Sequence, residues 1–382
     1  LECRMDRRRS LAMQLKLRIV PVDTVSFALL FSGLLNTSAS AASSTLLVEN
    51  VFQLTSTDPG RSFEQTGNMI NHVLYETLIT FKGGDAATPV PGVASKWTVN
   101  SNATVFTFTI NPKAKFSDGT AITSADVVFS LNRLKNIKGN PSSLMNGITV
   151  SAPSKGTVVL TTAVPTPQVL AIITSPALGI LNSAVVKANG GSDAADAATS
   201  DTALEYLKTK SAGSGRYTLS SFNLTTEVVL VKNLKYWGGV AKAGYDKIII
   251  RNVPVNVQRL DVIKGASSIA VDLSPDQADG VGSKVRVVQG KSSNVFFFYL
   301  SANKTFSAAT AFTSNPKCVE AARYGINYKK IVRYAGLGAI QAAGIIPSFF
   351  SGALKAKDAI KTDTARARAA FAACGMTDTP VC

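Results

Sequence analysis

Histidine is almost missing from this chain: His72 is the only one in 382 residues. Neither a multi-histidine zinc site nor a histidine triad with a second histidine to spare can be assembled from it. Acidic residues are also few, 24 against 40 Lys and Arg, which leaves a net charge of +16. The only basic run is Arg7, Arg8 and Arg9 at the start, so no focused patch for nucleic acid is present. No apolar run reaches the roughly 20 residues needed to cross a bilayer. There is no G-x-S-x-G, H-E-x-x-H or Walker-type motif, and 280–284 is too short for a phosphate loop. No spacing singles out a carboxylate pair. The residues therefore imply no enzyme, no metal and no cofactor.

Cysteine is scarce as well. Of four, Cys3 lies in the leader described next, and Cys318, Cys374 and Cys382 allow at most one pair. The spacing of Cys374 and Cys382 permits that bond, and free cysteines are an equal alternative. Arg4, Arg7, Arg8, Arg9, Lys16 and Arg18 precede an apolar stretch over 25–35, followed by the small-x-small sequence Ala39-Ser40-Ala41. This reads as a secretory signal over 1–41, cleaved near Ala41, with Met5 or Met13 as the start. Removing it takes away six basic and three acidic residues, lowering the net charge from +16 to +13. No cysteine stands at the cleavage point for a lipid anchor, so export to a periplasm is expected.

What remains is ordinary globular composition, 46% hydrophobic and 17% charged, enough for two or three domains. A β-rich run at 45–53 leads through the turn cluster Ser56-Thr57-Asp58-Pro59-Gly60 to helical spacing over 66–78. Phe106, Phe108 and Ile110 alternate with threonines, which predicts a half-buried hairpin with 97–99. Asp118-Gly119 supplies a tight turn, and Thr123 with Asp126 has capping-box spacing for a helix to about residue 134. Strands are expected at 157–161, 227–232, 247–253, 269–273 and 284–288, with a helix over 257–264. The aromatics Phe296, Phe297, Phe298 and Tyr299 predict a strand at 295–300 buried on both faces. Helices are expected at 316–326, 328–335 and 363–373. The alternation indicates an open α/β sheet.

Several of these segments form one long pattern: Tyr75-Glu76-Thr77-Leu78, then Pro91-Gly92-Val93-Ala94-Ser95-Lys96-Trp97, then Phe116-Ser117-Asp118-Gly119-Thr120, then Asp126 through Leu134 with Asn132-Arg133. It closely resembles the family 5 extracellular solute-binding proteins, the dipeptide, oligopeptide and nickel-binding receptors of ABC importers. Gly213-Ser214-Gly215-Arg216-Tyr217 stands where that family has GTGPY, and Tyr236-Trp237-Gly238-Gly239 where it has YWGG. The likeness weakens after 316, where Val319, Asn327 and Tyr328 depart from the usual arginine and aspartate-arginine positions. Members continue well beyond the helix resembled by 365–375.

The resemblance implies a two-lobed type II periplasmic-binding-protein fold of the α/β class. Lobe I would comprise 42–77 and 201–292, with 78–200 as an inserted α/β subdomain, and 293–382 would begin an incomplete lobe II. It implies capture of a short peptide or similar small solute by hinge closure and delivery to permease subunits in the inner membrane. The chain is expected to act as a monomer and to bind no nucleic acid. By family position the loop 58–65 lines the cleft: Arg61 would meet a carboxylate, Phe63 an apolar group, Glu64 an amine, and Gln65 completes it. Segment 142–146 would add Leu144, Met145 and Asn146, the first two as adaptable apolar contacts, with core packing the favoured alternative for Leu144. Trp97, Asp118, Gly119, Thr123 and Gly215 have structural roles, and His72 is a surface or packing residue. Alternatives are a nickel-chelate receptor, which the lack of histidine disfavours, and a cationic protein adhering to anionic envelope polymers. A regulator with a DNA-binding module would need more than 41 leading residues.

Overall fold

The computed structural model describes residues 44–375 apart from 53, 84, 86, 87, 240–243, 289–294, 298, 301–309, 337 and 349–351. The signal segment 1–41 and Cys382 lie outside the described residues.

Two sheets organise the chain. The first runs in the order β11-β1-β10-β9-β8. Its strands are β1 (Thr45–Asn50), β8 (Tyr217–Phe222), β9 (Glu227–Lys232), β10 (Lys247–Asn252) and β11 (Ile269–Ala270). β1 pairs in parallel with both β10 and β11, while β10, β9 and β8 are antiparallel. Period-2 alternation sends Val228 and Leu230 of β9 inward against Leu219, Ile250, Leu74 and Ile70. The helix α1 (Gln65–Leu74) supplies the last two. α1 stops at Leu74, short of the expected 78, because Tyr75 is extended and the Leu74 carbonyl accepts from the Gly215 amide at 3.0 Å. A Cβ at Gly215 would clash with the Val73 and Leu74 backbone, which is why glycine stands there.

The second sheet is antiparallel, in the order β4-β5-β7-β6. It is built from β4 (Ala94–Val99), β5 (Val105–Ile110), β6 (Ile148–Ser154) and β7 (Thr157–Thr162), with the short pair β2 (Ile79–Thr80) and β3 (Val90–Pro91) beside it in sequence. The predicted hairpin forms: Trp97 opposes Phe108, and on the other side Phe106 opposes Leu160 and Phe108 opposes Val158. Phe106, Phe108 and Leu160 are fully buried.

The helix α2 (Ser124–Asn136) serves both cores. Its Val127, Leu131 and Leu134 pack into the core of the second sheet, while Phe129 belongs to that of the first. Its N-terminus carries the predicted capping box: the Asp126 carboxylate accepts from the Thr123 amide (2.9 Å) and hydroxyl (2.7 Å). The short helices α3 (Val169–Ile172), α4 (Ser183–Ala188), α5 (Ala197–Ser200) and α6 (Leu204–Leu207) follow, then α7 (Val255–Lys264) and α8 (Pro275–Ala278).

The remaining helices are α9 (Thr310–Ser314), α10 (Pro316–Gly325), α11 (Tyr328–Ala335) and α12 (Thr364–Cys374). α10, α11 and α12 lie close to the expected ranges. Cys318 of α10 pairs with Cys374 of α12, Cα atoms 5.1 Å apart, in place of the bond weighed between Cys374 and Cys382. Ala321, Ala367 and Ala370 are buried along these helices, and small side chains let them approach closely enough for the bridge.

Two expected strands are absent among the described residues. Residues 284–288 form a turn and irregular chain. The described part of 295–300 is also irregular, and Phe296 (96% exposed), Phe297 (66%) and Tyr299 (80%) face solvent. An aromatic run buries itself as a strand only when neighbours supply hydrogen-bond partners and cover both faces, and none among the described residues does. The strand expected over 269–273 shortens to β11, since Asp272 turns its carboxylate back onto the Val51 amide and the Gln258 side chain.

Candidate functional site

The loop between β1 and α1 is set by Asp58. Its carbonyl accepts from the Arg61 (3.0 Å) and Ser62 (2.9 Å) amides, and its carboxylate from the Gly60 amide (3.0 Å). Arg133, 0% exposed in the last turn of α2, donates from Nη1 and Nη2 to the two oxygens of Asp58 at 2.9 and 2.7 Å. The same guanidinium donates from Nε (2.7 Å) and Nη2 (2.9 Å) to Asp201. Burial by itself would raise the Asp201 carboxyl, but hydrogen bonds and charge from Arg133 outweigh it and hold it below the usual carboxylate range. Burial likewise opposes the charge on Arg133, and Asp58 and Asp201 more than offset it.

The expected ligand residues fall into distinct settings. Arg61, 24% exposed, donates to Asp201 at 3.2 Å and lies 3.6 Å from Asp58, so its charge is already partnered inside the protein. Phe63 is 41% exposed. Glu64 precedes α1, and its carboxylate accepts from the Thr55 amide (2.6 Å), the Thr55 hydroxyl (3.0 Å) and the Phe63 amide (2.8 Å), which pins the loop. Gln65 is exposed and lines a cavity of about 210 Å³ with Asn50, Val51, Thr66 and Asp272, at the carboxyl end of β1. Asn50 donates to the Thr66 hydroxyl at 2.8 Å on its floor.

The second expected segment lies in a 3-10 helix (Asn140–Met145). Met145 is fully buried in the core of the second sheet. Leu144 packs partly against the same core, and Asn146 is exposed. The two segments are nonetheless neighbours, because Gly139 abuts the Gly60 carbonyl closely enough that any Cβ would clash.

Two networks escaped the sequence. The quartet Asp58, Arg61, Arg133 and Asp201 joins positions up to 143 residues apart in number, from 58 to 201, and no local spacing announces it. Glu76 is the other hub: Oε1 accepts from Tyr236 Oη (2.8 Å), and Oε2 from Trp237 Nε1 (2.6 Å) and Ser214 Oγ (2.8 Å). Each of these residues belongs to a motif quoted above, which was the only available signal. His72 lies on the exposed side of α1, and surrounding protein followed by the Arg216 charge keeps its pKa below the ordinary imidazole value. Among the described residues no group of three or more His, Cys, Asp or Glu is placed to hold a metal ion.

The mixed sheet, with a second antiparallel sheet between its first strand and the rest and a buried polar loop at the strand end, is an α/β architecture. Solved structures agree on the fold. The ABC transporter-associated periplasmic binding protein DppA of Helicobacter pylori, in complex with the peptide STSA, superposes with a TM-score of 0.68 at 19% identity, over 87% of this chain and 66% of that one. OppA of Burkholderia pseudomallei gives 0.66 at 19% identity, over 88% and 67%. Residues 88–381 match the bacterial extracellular solute-binding proteins, family 5 (middle region), and the chain belongs to that family. Among curated relatives, the probable D,D-dipeptide-binding periplasmic protein DdpA of Escherichia coli is 28% identical over 254 residues, 65% of this chain and 47% of that protein. The glutathione-binding protein GsiB of Pectobacterium atrosepticum is 23% identical over 311 residues, 79% and 55% respectively. The chain thus spans about half the length of these curated relatives.

Proposed function

We propose that this protein is the solute-binding component of an ABC importer, taking up short peptides in the periplasm and passing them to permease subunits of the inner membrane. The observation that carries this reading is the family match across 88–381. The name of the D,D-dipeptide-binding relative DdpA and the peptide held in the DppA–STSA complex support the ligand class. The separation of the two sheets supports treating 78–200 as a subdomain inserted into a lobe made of 42–77 and 201–292. Capture requires no bond to be made or broken: affinity would come from water exclusion and from backbone pairing along the loop 58–65, which tolerates many side chains. Phe63 and Gln65 are the side chains free to meet a ligand, whereas Arg61 and Glu64 act mainly on the loop itself. The signal 1–41 would direct export, and the mature chain would act as a monomer.

Titrating the purified chain with an equimolar mixture of di- to pentapeptides, followed by the fluorescence of Trp97 and Trp237, tests the reading. Saturable change at micromolar peptide supports it. A flat titration together with salt-sensitive retention on heparin would instead favour a cationic envelope-adhering protein.

A further inference from the structure

We infer that Arg133 is a positioning residue for ligand capture: from α2 it holds the loop 58–65 in its binding shape through Asp58, with Asp201 as counter-anchor. This rests on the reading of that loop as the ligand-lining segment.

Three features carry the inference. First, Arg133 is fully enclosed, yet it directs all its hydrogen bonds at two carboxylates rather than at the α2 backbone or the nearby core. Only the planar fork of a guanidinium can meet two carboxylates in this way; a lysine ammonium cannot span both. Second, Asp58 couples the fork to the chain. The carboxylate that receives Arg133 also accepts from the Gly60 amide, and its carbonyl caps the turn through the Arg61 and Ser62 amides. Moving the carboxylate therefore moves the backbone that leads directly into Phe63, Glu64 and Gln65. Third, the quartet holds two arginines and two aspartates and is electrically balanced. Arg61 consequently has no unspent charge with which to select acidic ligands, and the network's contribution is the loop's shape. Phe129 and Arg133 lie one helical turn apart on α2, and Arg133 is the charged contact from the inserted segment 78–200 to the loop, beside the packing of Ile137 and Gly139 against Gly60.

The test compares Arg133→Lys and the milder Asp201→Asn with Phe108→Ala, a control that weakens the second sheet's core and touches none of the quartet. Hydrogen exchange of the Gly60, Arg61 and Ser62 amides is read against that of β5 and β7, alongside affinity for the peptide mixture. We expect loop amides to exchange about tenfold faster or more in both quartet variants while β5 and β7 keep their protection, and peptide affinity to fall about tenfold. Phe108→Ala should lower the melting temperature without either change. Unaltered loop exchange in both quartet variants, or the same loop response in Phe108→Ala, overturns the inference. If the unmodified protein binds no peptide, the proposed ligand class fails, and the exchange comparison alone still decides whether Arg133 positions the loop.

Discussion

The indole Nε1 of Trp237 donates to Oε2 of Glu76 at 2.6 Å, across 161 positions of sequence. With Tyr236 and Ser214 on the same carboxylate, the end of α1, the glycine-flanked segment before β8 and the turn after β9 are held at one point. Replacing Glu76 by Ala leaves these donors without their acceptor in a partly buried site. The expected loss is about 3 kcal/mol, at 1–3 kcal/mol per unsatisfied group with some relaxation to water. Urea unfolding followed by tryptophan emission measures it, with a shift in the folded-state emission from Trp237. An unchanged midpoint would contradict the role of Glu76 as a hub.

Two carboxyls should shape the pH profile in opposite senses. The Lys232 ammonium, then the Ser44 amide and hydroxyl, pull Asp246 down from 3.8 to about 2. Its contribution is present above 3.8 and disappears as pH falls through about 2. Burial raises Glu76 above 4.5 despite its three donors, so the stability it contributes is complete below 4.5 and declines as pH rises through its folded value. Melting temperatures from pH 2 to 7 should show a shallower acid limb in Asp246→Asn and a flatter slope above pH 4.5 in Glu76→Gln. Identical profiles in all three proteins would refute the assignments.

The Cys318–Cys374 bridge closes a segment with a sequence separation of 56 residues. A loop of that length restricts the unfolded chain by about 4 kcal/mol in the chain-entropy treatment. Cys318→Ser should lower the unfolding midpoint and release α12 to proteolysis before the two sheets open. Non-reducing peptide mapping provides the direct check: recovery of a Cys374–Cys382 peptide from the native protein would sink the assignment.

Aromatic burial separates two positions that look alike in sequence. Phe108 is enclosed by the second sheet and α2, and Phe108→Ala should cost about 3–5 kcal/mol. Phe296 is almost wholly exposed, and Phe296→Ala should stay within about 0.5 kcal/mol. Parallel denaturation curves decide both, and a large loss at Phe296 would mean that the 295–300 segment is packed after all.

Elements specified by local chemistry were legible residue by residue. The Phe106–Phe108–Ile110 alternation, the Thr123–Asp126 capping box and the Gly119 turn, with φ of 97°, all stand where the pattern places them. The turn cluster at 56–60 was legible as a loop between strand and helix, whereas the internal partners of Arg61 and Glu64 were not, since Asp201 and Thr55 are brought to them by the fold. The burial of Met145 was not legible, because an apolar residue after a helix has the same local signature whether it ends in a core or at a surface.

Taken alone, the amino-acid order determined which stretches become strand, turn and helix, and through its motifs the family, because propensities, caps and glycine turns act over a few neighbouring positions. Tertiary structure alone decided which charges pair, which cysteines bond and which aromatics are covered. Arg133 could have met any of many carboxylates, and only the crossing of α2 beside Asp58 and Asp201 selects these two. The four-aromatic run carries every residue a buried strand needs, but burial is conferred by partners from elsewhere in the chain, and around Phe296 and Tyr299 the described residues provide none.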